Sequence, residues 1–122
     1  MINTLPPLEE FLALHIDEIE EIISFTKVCI EPSAEQLNSA SAEINQKLAT
    51  MRGYLIDVEW YLIGARAEAL KSLDEDMGPT AAKVHIESKT KDLKRLRDRL
   101  RGTVSSLKEM NISLWGIRKG VR

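Results

Sequence analysis

Cysteine is nearly missing from this chain. Cys29 stands alone, which excludes an internal disulfide and fits a reducing compartment. Near the end of a predicted first helix and on its apolar side, it reads as a small buried hydrophobe and not as a nucleophile. Aromatics make up 5% of the residues, so a core must come from Leu, Ile, Val, Met and Ala. The four prolines, Pro6, Pro7, Pro32 and Pro79, all fall where helices begin or turn. No apolar run approaches the roughly 18 residues of a membrane span. The opening Met1–Pro7 has neither a basic n-region nor a small-residue cleavage site, so no secretory signal is expected. The expectation is a cytoplasmic protein without a membrane partner.

Catalytic vocabulary is missing too. There is no Gly-rich phosphate loop, no Gly-x-Ser-x-Gly and no Cys/His metal cluster. The acidic groups Asp17, Glu18, Glu20, Glu21 and Asp74, Glu75, Asp76 raise the case of a metal-dependent nucleotide hydrolase. All-α pyrophosphohydrolases of that kind pair Glu-x-x-Glu with Glu-x-x-Asp on neighbouring helices. Glu18-x-x-Glu21 is present, but no Glu-x-x-Asp occurs in the chain. A di-iron bundle needs Glu-x-x-His, whereas Leu12 precedes His15 at that spacing and Ala82 precedes His85. Both histidines read as satisfied structural groups. The chain is expected not to be an enzyme, with no catalytic residue, cofactor or metal.

What is present is helical periodicity. One ladder runs Leu37, Ser41, Ile44, Leu48, Met51, Leu55, Val58, Leu62, Ala65, Ala69. A second runs Ala82, Ile86, Lys89, Leu93, Leu96, Leu100, Thr103, Leu107, Met110, Leu114, Ile117, Val121. Steps of four and three alternate, as in helices packed side by side at a shallow angle. Between the ladders stands Gly78-Pro79, a helix breaker. The predicted fold is all-α: a long antiparallel helical hairpin with an additional N-terminal helix, packed like a coiled coil. The predicted single domain, 1–122, has helix 1 over about 6–30, helix 2 over 33–76 and helix 3 over 80–117. Ser33 and Gln36 are expected to form a capping box, Thr80 to cap helix 3, and the basic tail 116–122 to fray. On helix 1 an apolar stripe of Leu12, Ile16, Ile19, Ile23, Thr26 and Ile30, flanked by Phe11 and Ile22, opposes an acidic face of Asp17, Glu18, Glu20 and Glu21.

Helix 2 has a second apolar stripe: Ile56, Trp60, Ile63, Ala67, Leu70. A helix apolar on two faces must be covered twice. One cover is helix 3; the other is helix 1, a second chain, or both. Ile56, Trp60, Ile63 and Leu70 are therefore candidate self-association residues in a dimer or tetramer. Tyr54, Trp60 and Tyr61 read as packing residues at a helix or subunit interface ahead of a base-stacking platform. Trp115 reads as a covered lid residue or, more sharply, as a partner-binding anchor.

The net charge of −2 hides a polarity. Residues 1–79 hold 15 acidic and 5 basic side chains, a balance of −10. Residues 80–122 hold 4 acidic and 12 basic, a balance of +8. Lys91, Lys94, Arg95, Arg97, Arg99 and Arg101 are candidate contacts either to the acidic helices, in cis or between subunits, or to nucleic-acid phosphate. With no reading helix beside the charge, any nucleic-acid binding is expected to be independent of sequence.

Three stretches carry a resemblance: Ala65-Arg-Ala-Glu-Ala-Leu-Lys71, Gly78-Pro-Thr-Ala-Ala-Lys83 and Ile112-Ser-Leu-Trp-Gly-Ile-Arg-Lys119. Over about residues 45–119 the chain resembles small all-helical tailed-bacteriophage proteins of unassigned activity. The resemblance implies expression in the host cytoplasm, often beside replication or recombination genes, and carries over no functional residue. The reading is a self-associating helical adaptor or DNA-metabolism accessory, phage-encoded, whose partners are itself and, through helix 3, nucleic acid or a host protein. The alternative is a phage inhibitor of a host protein, acting through the acidic face of helix 1.

Overall fold

The computed structural model consists of α1 (Leu8–Phe25), a 3₁₀ turn (Ala34–Gln36), α2 (Leu37–Lys71) and α3 (Pro79–Gly120). It describes residues 5–28 and 32–120, with side chains through Gly116, and no strand occurs among them. At 1.5 Å per residue the three helices are roughly 27, 52 and 63 Å long.

α2 and α3 form the antiparallel hairpin that the ladders predict. Ile44, Met51, Val58, Leu62, Leu100 and Leu107 are all buried, and one core cluster continues into Phe11, Ile19, Ile22 and Ile23 of α1. Three contacts between side chains mark the register along the hairpin. Asn111 Nδ2 donates to Asn45 Oδ1 at 2.9 Å, Arg101 meets Glu59 at 3.4 Å, and Ser72 Oγ lies 2.8 Å from His85 Nε2. All three lie at the surface, so they report the register that the packed ladders impose.

Helix ends depart from the sequence reading in physically simple ways. α1 stops at Phe25, where the Thr26 hydroxyl donates back to the Ile23 carbonyl at 2.7 Å; Cys29 and Ile30 lie outside the described residues. The capping box forms, with Gln36 Oε1 accepting from the Ser33 N–H at 3.1 Å, but it opens a 3₁₀ turn before α2. α2 ends at Lys71, five residues short of Asp76. Ser72 Oγ donates to the Ala69 carbonyl, and the Asp74 carboxylate accepts from the Asp76 N–H, the local bonding by which Ser and Asp divert a chain from helix. α3 starts at Pro79 itself, not behind a Thr80 cap, because proline's fixed φ suits the first helical position. The helix then continues through Gly120, beyond the predicted end at 117; the side chain of Ile117 and the whole of Val121 lie outside the described residues.

One ladder position is corrected. Lys89 is exposed, and Thr90 beside it is fully buried. Its hydroxyl donates to the Ile86 carbonyl at 2.8 Å, as Thr103 does to the Arg99 carbonyl. Each threonine thus buries a methyl group without leaving a polar atom unpaired, which a charged amine at position 89 could not do.

α1 lies along one face of the hairpin, antiparallel to α2. The Tyr61 hydroxyl donates to the Pro6 carbonyl at one end, and Lys47 sits 4.9 Å over the Phe25 ring at the other. About half as long as α2, α1 covers the middle of that face.

Candidate functional site

Heptad spacing gives α2 two flanking columns of residues, one on each side of its core ladder. Lys47, Tyr54 and Tyr61 form the first, and α1 takes up all three. Phe11 packs against Tyr61, His15 and Tyr54 with ring centroids 5.2, 5.0 and 6.1 Å away. The Tyr54 hydroxyl donates to Glu18 Oε1 and lies 3.3 Å from His15 Nδ1. Burial and the Glu18 carboxylate push the Tyr54 phenol up to about 12, because both oppose a second negative charge. Burial raises the Tyr61 phenol as well. Beyond the tyrosines, Arg99 reaches across from α3 and clasps Glu20 with two hydrogen bonds of 2.7 and 2.8 Å. That pairing holds the Glu20 carboxyl below its usual range and raises the Arg99 guanidinium.

The other column on α2 is Asn45, Arg52, Glu59, Arg66, and its counterpart on α3 is Lys94, Arg101, Lys108, Trp115. Among the described residues no helix lies over them. At the end where α2 begins, the two columns enclose a notch of about 470 Å³. Leu48 and Leu114 form its floor, Asn45 and Asn111 its polar wall, and Arg52, Lys108 and Trp115 its rim. Trp115 is 56% exposed.

The second apolar stripe of α2 points away from both neighbours. Ile56, Trp60, Ile63 and Leu70 are each more than half exposed, and Ala67 is exposed too. α1 covers the tyrosines instead, so neither intramolecular partner supplies the second cover that the pattern calls for. A groove of about 830 Å³ runs beside the stripe, between Trp60 and the segment Leu5–Leu8.

The six candidate cations of α3 fall into separate groups. Arg99 is held by Glu20, Arg101 by Glu59 and Arg97 by its neighbour Asp98. Lys91, Lys94 and Arg95 form no ion pair with any described residue. Arg95 and Arg99, which the spacing puts on one edge, therefore do not act together: one faces solvent and the other is bound to α1. Arg52, Arg66 and Lys108 were missed as candidates. The signal that finds them is the seven-residue repeat flanking each ladder, read on both helices at once. Among the described residues no group of His, Cys, Asp or Glu is arranged to hold a metal ion, and no helix is long and apolar enough to cross a membrane.

No protein-family model, curated protein or solved structure matches the chain.

Proposed function

We propose that the protein is a non-enzymatic helical adaptor that self-associates through the outer stripe of α2. One observation carries this: Ile56, Trp60, Ile63 and Leu70, four large apolar side chains at helical spacing, stand more than half exposed on one face. Scattered apolar residues on a surface are ordinary, but a contiguous patch of this kind marks an interaction surface. A symmetric pair of chains meeting through this patch gives a closed dimer, the commonest arrangement, with Trp60 as its anchor. The test is mass in solution. Light scattering at micromolar concentration is expected to give a multiple of the 13.8 kDa chain, reduced to the monomer by Trp60→Glu. A wild-type monomer would sink the proposal.

A second reading, contact with nucleic acid, is supported by cations that form no ion pair with any described residue, among them Lys91, Lys94, Arg95 and Lys108 on α3 and Arg52 and Arg66 on α2. Inhibition of a host protein through the acidic face of α1 has less support, since Glu18 and Glu20 are already engaged by Tyr54 and Arg99. Expression from a phage genome rests on the sequence resemblance alone.

A further inference from the structure

We infer that the uncovered face of the α2–α3 hairpin binds single-stranded nucleic acid, with phosphates along two basic columns and a base against Trp115; this rests on the second reading above and gives it a site. The columns are continuous because seven residues return a helix almost to the same azimuth. On α2 they run Asn45, Arg52, Glu59, Arg66. On α3 they run in the opposite direction, Trp115, Lys108, Arg101, Lys94. The Asn45–Asn111 and Glu59–Arg101 contacts mark which positions face each other. Arg52 and Lys108 therefore flank the notch, and Arg66 and Lys94 stand on the far side of the Glu59–Arg101 pair.

The charge of this face points to an anionic partner. Arg52, Arg66, Lys94 and Lys108 form no ion pair with any described residue. Glu59 is the acidic side chain in the two columns, and Arg101 already neutralises it at 3.4 Å. The run from Lys94 to Trp115 is about 31 Å long at 1.5 Å per residue, room for several successive phosphates. The opposite face of the hairpin, by contrast, has its charge closed off by α1, with Arg99 clasped to Glu20.

The notch selects a single strand over a duplex. Its volume of about 470 Å³ lies within the range of small-ligand pockets, about 300–1,000 Å³, and suits one unstacked base. Trp115 offers an aromatic plane of the kind on which bases stack irrespective of sequence. The amides of Asn45 and Asn111 sit on the wall with Lys108 and Arg52 at the rim. Bases paired inside a duplex cannot reach an indole at the end of a groove between two helices. A protein partner of acidic character would use the cations but would leave the Trp115 face without this role.

Fluorescence anisotropy of a labelled oligothymidylate against full-length protein tests the inference. Binding is expected at low salt, weakening steeply as salt rises because neutralised phosphates release counterions. The double variant Arg52→Glu/Lys108→Glu is expected to lose at least about tenfold in affinity, roughly 1.4 kcal/mol. Lys83→Glu/Lys89→Glu, at two exposed positions outside the columns, makes the same change in net charge and is expected to stay within about twofold. In a Trp60→Phe background, the oligonucleotide should quench the remaining indole, Trp115. Circular dichroism melts that match wild type establish that the variants fold, since all four sites are partly or fully exposed. If neither single strand nor duplex binds at low salt, the nucleic-acid reading itself is wrong. If the α3 pair abolishes binding and the Arg52/Lys108 pair does not, nucleic acid binds elsewhere and the site assignment falls. Equal affinity for duplex with no quenching, or equal affinity for polyglutamate, overturns the single-strand specificity.

Discussion

The two faces of the α2–α3 hairpin start from the same repeat and end in different states. On one side of the ladder the heptad column is Lys47, Tyr54, Tyr61, and α1 packs over all of it. On the other side the column is Asn45, Arg52, Glu59, Arg66, and no described helix covers it. Apolar rings with a polar tip can be buried against a neighbouring helix if each hydroxyl finds an acceptor, as those of Tyr54 and Tyr61 do. Guanidinium groups resist burial unless they are fully paired. The choice of residue at a flanking position thus decides which face receives the third helix, while the ladder between the columns is common to both.

Truncation on the covered face should separate the two most sharply. Phe11, 1% exposed, is the ring around which His15, Tyr54 and Tyr61 assemble. Phe11→Ala is expected to cost about 3–5 kcal/mol in denaturant titration, through lost contacts and a cavity. A loss below about 1 kcal/mol would mean that α1 is not held on this face.

Alkaline pH sharpens the comparison through Tyr54. Its phenol titrates at about 12 in the folded protein and near 10 in an unfolded chain. Folding therefore binds this proton more tightly, and the associated stability is fully present below pH 10 and lost as pH rises toward 12. Tyr54→Phe is expected to cost about 0.5–1.5 kcal/mol at neutral pH and to reduce the alkaline loss. An unchanged alkaline profile would place its origin elsewhere.

Smaller effects come from exposed charge. Arg99 and Glu20 are about half exposed, at 48% and 47%, so solvent screening limits Arg99→Ala to roughly 0.2–1 kcal/mol, vanishing in high salt. The Glu20 carboxyl, held low by Arg99, contributes stability above its unfolded titration range, lost as pH falls through its depressed value. Across the hairpin, Arg52→Ala and Arg66→Ala should stay within about 0.5 kcal/mol. A larger loss at either would show that the open face is structurally engaged after all.

Much of the fold is legible in the sequence because periodicity needs no knowledge of partners. The ladders name the buried residues of the hairpin apart from Thr90 and Val104, and the exposed second stripe of α2 is visible as surplus apolar surface. Helix ends are less legible, since local bonds such as Asp74 to Asp76 compete with helix by small margins. Azimuth is harder still. Lys89 and Thr90 are neighbours in sequence, and a rotation of one residue decides which points inward. The open-face columns are written in the sequence as plainly as the ladders, but a run of basic residues on α3 attracts attention to that helix alone. Arg52 and Arg66 join Lys94 and Lys108 only when the antiparallel register is known.

The clasp between Glu20 and Arg99 has a temporal consequence. The hairpin closes between neighbouring segments through one short turn, the kind of local topology that assembles quickly. α1 is made first, yet its docking platform includes a residue 79 positions later in the chain. At about 5–20 residues per second, translation keeps these two parts apart for roughly 4–16 s. During that interval the nascent α1 segment must carry Phe11, Ile19, Ile22 and Ile23 without their final cover, so of these three helices the earliest made is the last to complete its packing.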